Sequence, residues 1–133
     1  MLSITAVIPD LSRFTRDVTD RVDAAVAETA LAAANDVKAS MLAEKSGALY
    51  RRGKVTHQAS APGEAPAVDT QKLVGSIVTE RLAPMRHAVN ANTEYAIHLE
   101  YGTRNMAPRP FMRPALERSR DLFVEKVSEA LKR

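Results

Sequence analysis

Between Tyr95 and Leu116 the chain reads Tyr-Ala-Ile-His-Leu-Glu-Tyr-Gly-Thr-Arg-Asn-Met-Ala-Pro-Arg-Pro-Phe-Met-Arg-Pro-Ala-Leu, and few backbone paths satisfy that order. Tyr95, His98 and Leu99 fall at helical spacing, which predicts one or two helical turns. Gly102 sits where a left-handed residue ends such a turn without a Cβ clash. Thr103 to Met106 is polar until its last residue and reads as a solvent-facing turn. Ala107-Pro108-Arg109-Pro110 is extended, because each proline fixes its own φ and excludes the α region for its predecessor. Phe111 and Met112 give this stiff arm an apolar end. Pro114 suits the first position of a helix, where its missing N–H costs nothing. Arg113, just before it, is a poor cap, so the first N–H groups of that helix need water or acceptors from elsewhere in the structure.

The other elements follow from periodicity. Residues 1–10 alternate loosely through Leu2, Ile4, Ala6 and Ile8, which fits either a short strand or a disordered tail. From Leu11 to about Lys45 an apolar stripe of Phe14, Val18, Val22, Ala25, Thr29, Ala33, Val37 and Met41 predicts one long helix, with Asp10 or Ser12 as its cap. Alanines crowd its centre, so a neighbouring backbone can approach closely. Residues 46–72 hold Gly47, Gly53, Pro62, Gly63 and Pro66 and read as an extended, flexible loop or protruding hairpin. Leu73–Arg81 and Arg86–Asn92 are strands joined by Ala83-Pro84-Met85, an antiparallel hairpin. Asn92 or Thr93 can cap the short helix that follows. The last helix runs from Pro114 to Leu131. The fold class is therefore α+β in one domain over 1–133, with the long N-terminal helix and the C-terminal helix on one face of a small antiparallel sheet.

Composition narrows the chemistry. The chain has 133 residues, no cysteine and no tryptophan, so thiolate catalysis, thiolate metal sites and disulfides are excluded. A signal-peptide pattern is not evident, and no apolar run approaches bilayer length, so no membrane is expected. The net charge of +3 is below what a dedicated duplex-binding domain concentrates on one face. Arg51, Arg52, Lys54 and His57 form the densest basic cluster, able to meet DNA phosphates or an acidic surface through charge alone. No Gly-rich phosphate loop occurs. Neither Ser60 nor Ser76 has an identifiable base, and no cofactor or metal site can be assembled. His98 and Glu100 point to different sides of a helix, which weakens a metal-assisted hydrolase as an alternative. The expectation is a protein that is not an enzyme, with a small basic nucleic-acid-binding module as a second alternative.

The run Tyr95-Ala96, Glu100-Tyr101-Gly102-Thr103, Arg109-Pro110-Phe111 and Pro114-Ala115-Leu116 resembles the signature of the head–tail joining, or tail-completion, proteins of long-tailed double-stranded DNA phages and prophages. Ser60-Ala-Pro-Gly-Glu-Ala-Pro66, Asp69-Thr70 and Leu73 to Ile77 resemble the same family upstream, except that Gln71 stands where Gly is usual. The resemblance spans roughly residues 45–133. It implies a virion protein made in the host cytoplasm that sits at the head–tail junction as a homo-oligomeric ring, of six or twelve copies, around the DNA channel. Its partners would be further copies, neighbouring neck and tail-tube proteins and DNA passing non-specifically. On this resemblance Tyr101, Gly102, Thr103, Arg104, Arg109, Pro110 and Phe111 are candidate interface residues. Arg51, Arg52 and Lys54 are candidate contacts to DNA or a partner. Phe111 has two readings, an interface anchor or a plug in its own core.

Overall fold

A computed structural model describes residues 11–67 and 71–132, apart from the side chain of Arg52. The expected N-terminal arm, the cap at Asp10 and the Asp69-Thr70 pair lie outside the described residues. The rest has the expected α+β architecture, with two small antiparallel sheets rather than one.

Helix α1 (Ser12–Leu42) ends three residues earlier than its apolar pattern suggests, where Ala43 turns to extended backbone. The residue before it is Leu11, which has no side-chain acceptor, so Ser12 is helical rather than a cap. The stripe read from the sequence is half right. Ala25, Thr29, Ala33, Val37 and Met41 are buried, whereas Phe14 is exposed. Helix α4 (Met112–Leu131) runs antiparallel to α1, as two ion pairs show: Arg118 meets Asp36 at 2.7 Å and Lys126 meets Glu28 at 3.3 Å. Small side chains make this close packing possible, since Ala30, Ala33 and Ala34 on α1 and Ala115 on α4 are all buried.

Helix α1 also carries the hairpin of β3 (Ile77–Ala83) and β4 (Arg86–Ala91). Strand β3 begins four residues later than expected. Its predecessor is a single turn, α2 (Lys72–Gly75), because Gln71 adopts a left-handed conformation (φ 58°) that redirects the chain into a helical turn. The hairpin turn lies at Pro84-Met85 as read, with Met85 also at positive φ. Asp23 on α1 holds this turn in place. Its Oδ1 accepts the Met85 N–H at 2.8 Å and lies 3.0 Å from His87 Nε2, while Oδ2 accepts from Arg81 Nε at 3.1 Å.

Residues 46–67 form a hairpin rather than a bare loop. Strands β1 (Leu49–Arg52) and β2 (Val55–Gln58) pair around Gly53-Lys54. The ladder continues below them through the Gly47 N–H to the Ala59 carbonyl and the Ala59 N–H to that of Ala48. At its base Glu64 accepts from the Ser46 hydroxyl and N–H and from the Ala61 N–H. Ser60 and Pro66 are buried, so the base of the segment belongs to the fold and the tip extends into solvent. One hydrophobic core joins all layers: Val37 and Met41 of α1, Leu73 of α2, Ile77 of β3, and Ala96, Phe111 and Ala115 of the C-terminal third.

Candidate assembly surface

The C-terminal third is built around a carboxylate. Helix α3 (Ala96–Tyr101) starts after Tyr95 without a side-chain cap, and the carbonyl of Thr93, not its hydroxyl, receives the Ala96 N–H. Glu100, near its end, reaches eleven to thirteen residues forward. Oε2 accepts from the N–H groups of Phe111 at 2.8 Å and Met112 at 3.0 Å, and Oε1 accepts from that of Arg113 at 2.9 Å. Helix α4 thus begins two residues before the expected Pro114, which occupies its first turn and has no N–H to satisfy. Every orphan donor at this helix start is either bonded to Glu100 or absent, and the negative charge lies against the positive end of the helix dipole.

Gly102 makes the geometry possible. It has φ 77° and ψ 176°, an extended mirror-image conformation rather than the left-handed helical one expected. That region is essentially restricted to glycine. A Cβ at this position would also lie 2.8 Å from the Met106 carbonyl oxygen and 2.9 Å from Pro108. Thr103 and Met106 then bond to each other across an exposed turn at Arg104-Asn105. The arm that follows is knitted down on both sides. The Arg109 N–H donates to the Leu99 carbonyl at 2.7 Å, Arg109 Nε to that of Ser60 at 3.3 Å, and the Gly63 N–H to that of Pro108 at 3.0 Å. The two motif blocks, residues 60–66 and 95–111, therefore meet in space. They flank an open cleft of about 360 Å³ that includes Tyr50, Ser60, Pro66, Tyr95 and Arg109.

These positions sort the expected site residues. Phe111 is 1% exposed at the centre of the core, so it is a core plug and not a surface anchor. The arm delivers it inward because Glu100 fixes the backbone on which it sits. Arg109 is half-buried and bonded within the chain, and Pro110 beside it is half-buried. Tyr101 is 72% exposed, and Thr103 and Arg104 are exposed beside it, which leaves these three as accessible members of the set. Arg51 and Lys54 are exposed at the tip of the β1–β2 hairpin, where Arg51 Nε donates to the Gly53 carbonyl and His57 stacks on Tyr50 at 5.6 Å. Of the pair considered for a hydrolase, Glu100 is bonded to the start of α4 and His98 is exposed on α3. Among the described residues no group of His, Asp and Glu side chains could hold a metal ion, and no helix is long and apolar enough to cross a membrane.

Sequence reading missed a groove of about 950 Å³ between α1, β4 and α4. Its floor is Ala30, Ala33 and Val37 of α1, and its walls carry Ala88 and Val89 on one side and Leu116 and Phe123 on the other. Leu116 is 69% exposed at the lip, next to Tyr101. The signal lay in α4, where Leu116, Phe123, Val127 and Leu131 recur at helical spacing on a side that faces away from the ion pairs with α1. No protein-family model, curated protein or solved structure matches the chain.

Proposed function

We propose that the protein is a structural virion component of the head–tail joining, tail-completion type, which assembles as a closed ring at the phage neck around the DNA channel and joins head to tail. The ring comes from the resemblance, and association with further copies is supported by one observation, the accessible surface. A folded monomer of 14.5 kDa exposes about 6,900 Å² by the scaling of area with mass. This chain exposes 9786 Å². Crediting the residues outside the description with the whole surface of an unfolded segment, roughly 2,200 Å², still leaves the remainder about 1,200 Å² above a compact monomer. That excess is larger than the roughly 800 Å² one partner contributes to a stable interface. Leu31, Leu116, Phe123, Val124 and Leu131 are among its exposed apolar side chains, which suits contacts with further copies.

The place at a phage neck rests on the resemblance of the two motif blocks, supported by their meeting in space. In a ring, the exposed Arg51 and Lys54 of the hairpin would contact passing DNA or an acidic neighbour by charge, without reading bases. Native mass spectrometry of the purified chain, and copy number in particles that carry it, test the proposal. A closed oligomer of six or twelve copies is expected. A single copy at the junction, or a chain that stays monomeric with and without its neck neighbours, overturns it. The exposed hairpin tip favours one second reading, a free nucleic-acid-binding module. Tight DNA binding by the monomer that falls steeply with salt would select that reading instead.

A further inference from the structure

The formal excess of charge in this chain sits on one turn. Of 19 Lys and Arg against 16 Asp and Glu, Arg51, Arg52 and Lys54 are the whole surplus, and the rest of the chain is balanced. From Lys45 to Gly63 no acidic residue occurs. Glu64, the next acid along the chain, is bonded to Ser46 and Ala61 at the root of the ladder. Ser46 lies about 20 Å from Gly53 at roughly 3.3 Å per residue. That exceeds a Debye length of about 8 Å at physiological salt, so this carboxylate does not cancel the field at the tip. The tip is also narrow. Strands β1 and β2 pair as far as Arg52 and Val55 and leave only Gly53-Lys54 between them. Gly53 has φ 65°, and a Cβ there would meet nothing within 4 Å. Arg51 and Lys54 are exposed, and the bond from Arg51 Nε to the Gly53 carbonyl at 3.1 Å holds the guanidinium beside the turn.

We infer that the β1–β2 tip enters the major groove of double-stranded DNA as a ribbon and meets phosphates on both walls, through charge alone. Shape favours this partner over an acidic protein surface. Successive strand residues take opposite faces, so Arg51, paired with Thr56, and Arg52, paired with Val55, are placed on opposite faces of the ribbon, with Lys54 in the turn. A flat acidic surface meets one face only, whereas a groove has phosphates on either side. Size agrees. The major groove of B-DNA is about 12 Å wide and about 8.5 Å deep, and it admits a two-stranded ribbon. The strands lie about 4.8 Å apart, and the two residues behind the turn on each side span about 7 Å, within that depth. The major groove of duplex RNA is too narrow and deep for such a tip. This inference rests on the neck reading above for the presence of DNA, and deepens it by committing the tip to the duplex groove. One tip neutralises about three phosphates, so a single copy binds weakly and a ring of copies holds DNA by the sum of its tips.

The test is a salt titration of the full chain on a labelled, mixed-sequence DNA duplex, read by fluorescence anisotropy. Affinity per chain should fall with a log–log slope of about −2.7, or roughly fortyfold between about 50 and 200 mM salt, for three phosphates at about 0.9 each. Lys54→Gln should reduce the slope to about −1.8 and the loss to roughly twelvefold, and Arg51→Gln should do the same. Both side chains are exposed, so both variants should keep the wild-type melting temperature. Replacing Arg51, Arg52 and Lys54 together with Gln should abolish binding. Duplex RNA should bind more weakly than DNA. Several results would overturn the inference: no binding at about 50 mM salt, wild-type binding by the triple variant, or a slope of about −5 or steeper, which needs six or more phosphates. Equal affinity for duplex RNA or polyglutamate, or a marked preference between duplex sequences, would overturn it too. So would a lower melting temperature in both single variants, which would show that the tip serves the fold. A closed ring whose DNA binding ignores the triple variant removes the tip contact and leaves the neck reading intact. A monomer whose slope of about −2.7 depends on these three residues removes the ring and leaves the contact standing.

Discussion

Replacing Glu100 with alanine should strongly destabilise the folded chain. The carboxylate receives three backbone N–H groups, from Phe111, Met112 and Arg113. Arg113 is exposed, so its N–H can return to water. The donors of buried Phe111 and half-buried Met112 cannot, and each unsatisfied buried donor costs about 1–3 kcal/mol. Loss of the charge at the helix start adds roughly 0.3–1 kcal/mol. Glu100→Ala should therefore cost roughly 2–7 kcal/mol in all, more than the roughly 0.5–2 kcal/mol of an ordinary helix cap. In a chain of this size that lowers the melting temperature by roughly 7–25 °C.

A second variant separates the hydrogen bonds from the side chain's bulk. Glu100→Gln keeps one carbonyl oxygen, able to hold the Phe111 and Met112 donors that share Oε2, and it gives up only the exposed Arg113 bond and the charge. Its cost should be about 1 kcal/mol. Equilibrium denaturation of wild type, Gln and Ala variants, read by helical circular dichroism, gives the three stabilities. An alanine variant within about 0.5 kcal/mol of wild type, or a glutamine variant as unstable as alanine, would refute the idea that this carboxylate organises the start of α4.

Four further outcomes are expected. Gly102→Ala should lose at least about 2–3 kcal/mol, because it combines a glycine-only backbone conformation with a Cβ under 3.0 Å from backbone atoms; a variant that melts with wild type would refute this. Phe111→Ala should cost roughly 3–5 kcal/mol of monomer stability as a buried aromatic truncation, so a stable monomer that merely fails to assemble would reverse its placement in the core. Gln71→Gly should stabilise the chain by up to about 1 kcal/mol, since relief of a left-handed non-glycine residue outweighs glycine's entropy, and a lower melting temperature would count against it. Acid sensitivity should track Glu64, whose pKa is pulled down to about 2 by the Ser46 hydroxyl and then by the Ala61 and Ser46 N–H groups. A depressed carboxylate stabilises the fold above its unfolded value of 4.5 and stops doing so as pH falls toward about 2. Glu64→Gln should flatten stability across that window in acid denaturation, and an unchanged slope would argue against the clamp.

Periodicity made the helices and the β3–β4 hairpin legible, because a 31-residue stripe and a Pro84 turn leave few alternatives. Prolines and glycine did the same for the arm from Gly102 to Pro110. The boundaries failed where one backbone conformation decides them, as at Gln71, whose positive φ turns the expected strand start into α2. Three carboxylates that hold junctions together were also hidden. Asp23 reaches residues 58 to 64 positions away, Glu64 reaches 18, and Glu100 reaches up to 13. Local sequence rules do not extend to such separations. The poor cap at Arg113 did announce that α4 needed an acceptor, but not which one. The groove was invisible for another reason, since it exists only once α1, β4 and α4 are assembled.

Motif residues and exposed apolar residues consequently divide in an unexpected way. Glu100, Gly102, Arg109 and Phe111 stand out in sequence because their backbone and side-chain roles are tightly specified, and the structure turns all four inward, to hold α3, the arm and α4 together. A residue committed to several bonds within its own chain has little left to offer a neighbour. Phe14 and Phe123 lie outside the motif blocks and Leu116 ends one of them, and all three expose large apolar surface. For the assembly proposed above that separation would be useful, because an anchor that also filled the core would make each subunit unstable until its neighbour arrived. Damage at Glu100, Gly102 or Phe111 should then appear as loss of folded protein, whereas a charge placed at exposed Tyr101, Leu116 or Phe123 should leave the fold intact.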